Sequence, residues 1–561
     1  MRRTWKVASP DSKKVSTLSN QVGISPLLAG LLINRGITEP SQAEKFLFSS
    51  FYDLPDPFLL KDMTKAAGLI KEAVDKRWKV MIFGDYDVDG ITASALLYQF
   101  FISRGINPVV YLPHRIQEGY GINYPGIERA RREGINLFIA VDCGITAADK
   151  IAFLKQAGVT VVVIDHHKPK DISPPADAII DPWQEGCSYP EKDLASVGLV
   201  FKLIQAILGK DQRILRFLDL VALGTVADLA DLRGENRILV RYGLEVLNTN
   251  PRLGIRKLVE RARLNKHIGV REISFIIAPR LNAVGRISSA NDAFRLLVTE
   301  DEIEAEALAE KLERANRRRQ ELESEVLKQV RVKLESEFDF SLEKAIVVKG
   351  KKWHPGVLGI VASRLVEEYG LPTIILSEIE GVVRGSGRSV PQLDIFKAVN
   401  SCSEFLEEFG GHSLACGVSL KMESFADFKE RFCRIVRECF DETPFQFLLE
   451  IDKELEFSEI TRQLFNDLQL LSPFGPNNPE PLFLTTRVKV IDQPRKLNRG
   501  FYKAWVKKDK HVHQILFRKD GLEGFLSSGR YLDCVYTPVM ENWEGSETIT
   551  LFLRDFRYSD G

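Results

Sequence analysis

Apolar residues in the first half of the chain fall in short unbroken runs, each stopped by a polar or charged residue. Val80–Phe83, Leu137–Val141 and Val159–Ile164 are each four to six residues long, which suits strands buried on both faces of a parallel sheet. Two further runs, Val109–Leu112 and Ala178–Ile180, lead into His114 and Arg115 and into Asp181. Stretches of helical periodicity separate them, so residues 76–235 predict a βαβ parallel sheet. Residues 1–75 predict short helices packed on that sheet region, with Ile24-Ser25-Pro26-Leu27-Leu28-Ala29 opening one of them. Residues 236–285 read as helical and irregular. From Ala290 to about Glu337 the pattern is one long amphipathic helix.

A second alternating region, 343–440, starts at Ala345-Ile346-Val347-Val348 and predicts another α/β unit. Leu471-Ser472-Pro473-Phe474-Gly475-Pro476-Asn477-Asn478-Pro479 reads as a rigid connection. Beyond it short strands predominate, at Leu482–Val490, Phe501–Val506, Val512–Phe517, Tyr531–Tyr536 and Thr548–Leu553. Five short strands at this spacing predict a small barrel of the OB type over residues 445–561.

Polar residues at the ends of the early runs carry the chemistry. They are Gly84-Asp85-Tyr86-Asp87-Val88-Asp89-Gly90, Asp142-Cys143-Gly144, Asp165-His166-His167, and Ala227-Asp228 within an apolar stretch. Acids at the carboxyl ends of neighbouring parallel strands stand where open α/β sheets place their ligands. Carboxylate with imidazole and without thiolate suits manganese or magnesium better than structural zinc. The donors exceed what one ion needs, so two divalent cations sharing a carboxylate are expected; such a pair activates water at a phosphoryl centre. A calcium loop is the competing reading of residues 85–96. It fails because Leu96 stands where a bidentate Glu is required and a strand, not a helix, precedes the loop. Asp165-His166-His167 taken alone could equally be a solvated turn before Pro169.

Composition is that of a folded globular protein, 44% apolar and 27% charged. Seven cysteines lie scattered without a Cys-x-x-Cys pair, which fits a reducing cytoplasm. The N-terminus lacks an apolar signal core, and no stretch has the length to span a membrane. With 77 basic and 77 acidic residues the net charge is zero, which argues against indiscriminate coating of duplexes but not against a nuclease with local basic patches.

Several basic groups are candidates for phosphate contact. Arg115 lies at a strand tip; Arg280 and Arg286 lie in Ala278-Pro279-Arg280 and Gly285-Arg286; Ser386 and Arg388 lie in Gly385-Ser386-Gly387-Arg388-Ser389; His412 ends Phe409-Gly410-Gly411-His412. Gly-Ser-Gly could instead be a tight turn, and His412 a buried core histidine. Arg314, Arg317, Arg318 and Arg319 on the long helix have Glu313, Glu321, Glu323 and Glu325 at helical spacings, which describes a solvated face. The competing reading is a rigid spacer whose basic side touches phosphate. In the barrel, Arg495, Lys496, Arg499, Lys503, Lys507 and Lys508 interleave with Phe501, Tyr502 and Trp505, the composition of a surface on which single strands stack. A barrel with core aromatics and a solubilising rim is the alternative.

The motif set resembles the DHH phosphoesterase superfamily, and within it the RecJ family of single-strand-specific 5′→3′ exonucleases. Glu118-Gly119-Tyr120-Gly121, Leu223-Gly224-Thr225-Val226-Ala227-Asp228, Ala278-Pro279-Arg280-Leu281-Asn282, Gly359-Ile360-Val361-Ala362-Ser363-Arg364 and Gly410-Gly411-His412 extend the likeness over nearly the whole chain. It implies an α/β architecture: a parallel-sheet DHH domain, a helical region at 236–342 ending in the connecting helix, a DHH-associated α/β domain at 343–440, and the OB-type barrel. It further implies Asp87, Asp89, Asp142, His166 and Asp228 as ligands of two Mn2+ or Mg2+ ions, with Asp142 bridging and His167 contacting the scissile phosphate. Phe83 departs from pyrophosphatases of the superfamily, which carry a metal-binding His there, so one ion is expected to be held less tightly unless Asp85 or a water compensates. The activity so implied is hydrolysis of single-stranded DNA from the 5′ end to 5′-mononucleotides, in DNA repair and recombination, by a bacterial cytoplasmic monomer. A single-strand-binding protein and a helicase are the implied partners. A small-substrate DHH phosphodiesterase and a non-catalytic DNA-binding relative are the competing readings.

Overall fold

The structure is a computed structural model. It describes residues 4–559 except 116, 171, 210, 265–266, 288, 341, 380, 443–447, 498–499, 519–528 and 544–545. The chain divides into two compact units, one of residues 55–230 and 242–447, the other of residues 2–54, 231–241 and 448–561.

The first unit is built on two sheets. One is five-stranded and wholly parallel, in the spatial order Val109–Tyr111, Val80–Gly84, Leu137–Val141, Thr160–Ile164, Ala178–Ile180. Every residue of Val80–Gly84 and Leu137–Val141 is buried, as the unbroken apolar runs require of strands covered on both faces. Phe83 is part of this core, stacked between Tyr111 at 5.1 Å and Phe138 at 5.7 Å.

The other sheet has the order Glu408–His412, Ala415–Lys421, Val382–Arg388, Thr373–Ile379, Ile346–Lys351, with only the last pair parallel. Gly385-Ser386-Gly387-Arg388 is therefore strand rather than turn. Its glycines serve packing: a Cβ at Gly385 would lie 2.6 Å from the Ile375 carbonyl, and one at Gly387 2.5 Å from Cys416 Sγ.

The expected single helix from Ala290 is two, Asn291–Val298 and Glu302–Glu337. Thr299 is extended, and Asp301 caps the second helix by accepting from the Glu304 N–H at 2.7 Å. A side chain that can satisfy an orphan N–H starts a new helix here and outweighs the continuing apolar period. Towards its C-terminal end the 36-residue helix buries Val326, Val330 and Leu334 against Val357, Val361 and Leu365 of Pro355–Tyr369.

The second unit holds the barrel. Its principal strands follow each other in space as Phe483–Val490, Tyr531–Trp543, Ser546–Tyr558, His511–Phe517 and Tyr502–Lys508, and the last pairs back to the first. Only His511–Phe517 and Ser546–Tyr558 run parallel among these pairings, the arrangement of a closed OB-type Greek key. The last two strands are longer than expected, 13 residues each. Among the described residues the strand past Tyr536 pairs on one side only, and Pro538 lies in this edge segment, where proline is tolerated.

The helices Ser12–Val22, Pro26–Asn34 and Pro40–Phe48 belong to this unit and not to the parallel sheet next to them in sequence. Leu28, Leu31, Leu32 and Leu47 share one core with Phe457, Leu464, Leu471 and Phe483. Arg237, 3% exposed, ties the unit together through the carbonyls of Phe46, Leu470 and Leu471 at 2.7–3.0 Å, over the Phe46 ring. Among the described residues no helix is long and apolar enough to cross a membrane.

Candidate metal centre

Strand tips supply only some of the clustered acids. Asp85 follows the strand Val80–Gly84, and Asp87 caps the next helix, Val88–Ser103, by accepting from the Gly90 N–H at 3.1 Å. Asp89 lies in that helix's first turn, where it is 1% exposed and accepts from the N–H groups of Ser196 at 2.6 Å and Val197 at 2.9 Å. Asp228, expected inside an apolar stretch, caps the C-terminus of the helix Leu218–Ala227. That helix approaches closely because Gly224 has no side chain; a Cβ there would lie 2.4 Å from Thr92 Oγ1 and 2.9 Å from Asp89 Oδ1.

Asp142 follows its strand in a left-handed conformation, φ +62°, which a non-glycine residue holds only under the constraint of its surroundings. Its Oδ1 accepts from Ser196 Oγ at 2.9 Å and lies 3.3 Å from His166 Nε2. The other His166 nitrogen, Nδ1, is 3.8 Å from Asp228 Oδ2. Asp165 is committed elsewhere. It accepts from the backbone N–H groups of Ile145, His166 and His167 and lies 2.7 Å from His167 Nδ1.

Three sets of donor atoms lie mutually within 4.8 Å: Asp142, His166 and His167; Asp89, His166 and Asp228; Asp85, Asp87 and Asp142. Asp142 and His166 belong to two sets each, as a shared pair of sites requires. Burial, reinforced by the neighbouring carboxylates, raises Asp85, Asp89 and Asp142, and raises Asp228 to about 7. Asp85 Oδ1 is buried and without a hydrogen-bond partner among the described residues. Packed acids that repel one another, one with an orphaned oxygen, fit hard divalent cations. Asp85 was not among the five ligands that the resemblance implies and was expected only as a substitute for the His missing at Phe83. Its signal was the Asp-x-Asp-x-Asp spacing, and its oxygen offers a donor where Phe83, turned into the core, offers none.

A basic group adjoins the acids. Arg115 lies over the Tyr86 ring at 4.9 Å and weakens the upward shift of Asp85. Arg286 donates to the Gly356 carbonyl at 3.2 Å and, among the described residues, has no carboxylate partner. Burial lowers it to about 9, helped by the repulsion of Arg115, Arg319 and Arg388. Arg388 donates to Ser386 Oγ at 2.9 Å, in space left by Gly359, whose Cβ would stand 2.8 Å from Arg388 Nη2. His412 is exposed rather than in the core, and it feels the charges of Arg388 and His167.

Two expectations change. Arg280 is held by Glu313 at 2.6 Å and by the Ile276 carbonyl at 2.7 Å, so its guanidinium already has partners. The long helix is solvated only in part: Arg318 pairs with Glu321 on the surface, but Arg319 is drawn in beside Glu323, which also holds Arg364 at 2.5 Å.

On the barrel, strand alternation separates the aromatics. Tyr502 is 2% exposed and stacked on Phe517 at 5.5 Å, so it is core and unavailable as a platform. Trp505 is 36% exposed with Lys503 over its ring at 5.7 Å. Phe501 is half-buried with Arg518 over it at 5.9 Å. Arg499 lies outside the described residues.

Sequence and structure comparisons agree with this geometry. Residues 79–225 match the DHH family, N-terminal domain, residues 342–438 the DHHA1 domain, and residues 451–555 the RecJ OB domain. The single-stranded-DNA-specific exonuclease RecJ of Bacillus subtilis is 36% identical over 99% of this chain and 71% of that protein. The chain belongs to the RecJ family. RecJ of Thermus thermophilus in complex with Mn2+ superposes with a TM-score of 0.84 at 30% identity, over 99% of this chain and 80% of that one. RecJ of the same organism in complex with Mg2+ gives 0.79 at 28% identity, over 99% and 79%. Both ions are those that the carboxylate-rich donor set suits. The RecJ-type barrel is the part that a small-substrate phosphodiesterase would not need.

Proposed function

We propose that this RecJ-family protein is a hydrolase that removes 5′-mononucleotides from single-stranded DNA in the 5′→3′ direction, serving DNA repair and recombination. The observation that carries the reading is the adjacency of the acid cluster to Arg115, Arg286 and Arg388. A cation-binding cluster beside arginines that have no carboxylate partner among the described residues suits one phosphate to be cleaved and another to be gripped.

In this reading Asp87, Asp89, Asp142, His166 and Asp228, joined by Asp85, hold two divalent cations, with Asp142 shared. Bound there, the ions supply Lewis-acid activation of a water and charge neutralisation at the scissile phosphate. The chain's own groups do the rest. Burial pulls His167 down, but the hydrogen bond and charge of Asp165 more than reverse it, so His167 is available as a charged donor to a phosphate oxygen. Arg115, Ser386 and Arg388, with Arg286 behind them, bind the 5′-terminal phosphate, and His412 donates from the exposed hairpin. Arginine is suited to this because its fork matches phosphate geometry.

Residues 76–235 act as the catalytic domain, 236–342 as its helical extension, 343–440 as the substrate domain and 445–561 as the single-strand-binding barrel, with 1–75 as an accessory helical segment. The protein works as a cytoplasmic monomer, supplied by a helicase and a single-strand-binding protein; the family resemblance supports these assignments. Incubation of 5′-labelled and 3′-labelled strands and of duplex with Mn2+, with and without chelator, tests the reading. Metal-dependent release of mononucleotides from the 5′ end of single strands is expected. Release from the 3′ end, or equal attack on blunt duplex, overturns it.

A further inference from the structure

The segment between Val109–Tyr111 and the helix Tyr124–Glu133 carries Arg115 and Tyr120, and one acidic residue inside it closes the turn that presents Arg115. Glu118 accepts hydrogen bonds from the Tyr111 hydroxyl, from the His114 backbone N–H at 2.6 Å and from Asn123 Nδ2 at 3.2 Å. Its own N–H donates to the His114 carbonyl at 2.8 Å. Residues 114 and 118 are thus joined through backbone and side chain, with Arg115 in the closed turn.

The anchors are themselves fixed. Tyr111 stacks on Phe83 at 5.1 Å, and Asn123 Oδ1 caps its helix by accepting from the Gly126 N–H at 2.8 Å. Tyr120 is secured separately, its hydroxyl donating to the Asp142 carbonyl at 3.2 Å. Gly119 and Gly121, at φ +77° and +81°, turn the chain on either side of it, so a change at Glu118 need not move Tyr120.

We infer that Glu118 is a positioning residue for recognition of the 5′ end: it fixes the turn that aims Arg115 at the terminal phosphate. The inference rests on the assignment of Arg115 to that phosphate. Three donors converge on the carboxylate, and it offers two oxygens. Glutamine at this position has one oxygen and presents an amide N–H2 where an acceptor is needed, so at least one donor among Tyr111, His114 and Asn123 loses its acceptor. The turn loosens, and Arg115 is no longer held over Tyr86.

The test compares the full-length protein and its Glu118→Gln variant on single strands that differ only in a 5′-phosphate or a 5′-hydroxyl. For the variant, KM on the phosphorylated strand is expected to rise about tenfold, the loss of one hydrogen bond to a charged group, with kcat within about threefold. The preference for phosphorylated ends shrinks accordingly. Tyr111→Phe, which removes one of the three bonds, is expected to shrink it less, and it carries the test if Glu118→Gln does not fold. Preference unchanged in the variant overturns the role of Glu118 alone. A parent protein that does not distinguish the two ends overturns the phosphate assignment on which that role rests.

Discussion

Ser196 holds Asp142 by its hydroxyl, at 2.9 Å, and Asp89 by its backbone N–H, at 2.6 Å. One residue at the start of the helix Ser196–Leu208 therefore fixes carboxylates that come from two different segments. Replacing the hydroxyl leaves the backbone bond to Asp89 and frees Asp142 to rotate. Ser196→Ala is expected to weaken Mn2+ binding about tenfold, the lower end of what loss of an outer hydrogen-bond partner costs. Calorimetric titration of Mn2+ into chelator-treated protein measures this, and an unchanged affinity would show that Asp142 needs no support from Ser196.

The metal-free cluster is also a source of instability with a definite pH dependence. Asp85, Asp89 and Asp142 are raised by burial and by each other, and Asp228 is raised to about 7. Each holds its proton to higher pH in the folded than in the unfolded chain. Their contribution is therefore fully present below the ordinary carboxylate range and is lost as pH rises above it, for Asp228 through about 7. His166 is raised as well, since the carboxylates around it outweigh its burial, and works in the same direction. Chelator-treated protein should melt at a lower temperature at pH 8 than at pH 6, and Mn2+ should restore most of the difference. A melting temperature that climbs with pH in chelator would contradict this.

The acidic centre was legible because chain order maps simply onto a parallel sheet: an apolar run with an acid directly after it puts that acid at a strand tip, as for Asp85 and Asp142. Asp228 was legible as a candidate donor, but the element that carries it was not. Leu218–Ala227 is apolar all round and short, so periodicity did not distinguish a buried helix from a strand. The arginines were harder, because their role depends on pairing. Arg280 and Arg286 lie six positions apart on one helix, yet Glu313, 33 residues away in sequence, claims only the first. No local pattern reports such a partner. The segment 2–54 was assigned to its sequence neighbour because nothing local records that its leucines share a core with Phe457 and Phe483.

That difference between the two arginines can be measured. Arg286 faces Arg115 and Arg388 without a carboxylate among the described residues, whereas Arg280 is neutralised by Glu313. Arg286→Ala is expected to lower kcat/KM on 5′-phosphorylated strands by roughly 10- to 100-fold, as for a lost charge-assisted contact. Arg280→Ala should keep the preference for phosphorylated ends and lower the melting temperature instead, because Glu313 is left partly buried and unpaired. Steady-state kinetics of both variants on phosphorylated and hydroxyl ends separates them; equal losses of preference would put both guanidiniums on the substrate.

Tyr502 and Trp505, on the same barrel strand, point to opposite faces. Tyr502 fills the core against Phe517, and Trp505 stands outside beside Lys503. Truncating each should therefore affect a different property. Trp505→Ala is expected to weaken single-strand binding by about 1–3 kcal/mol, the range for one stacked base, with little change in melting. Tyr502→Ala is expected to cost about 3–5 kcal/mol of stability through the cavity it leaves, and to weaken binding only as far as the barrel unfolds. Fluorescence anisotropy with a labelled oligonucleotide, measured alongside thermal melting of each variant, checks both. If Trp505→Ala binds single strands as tightly as the parent, the aromatic face is a solubilising rim and the strand is held by the lysines alone.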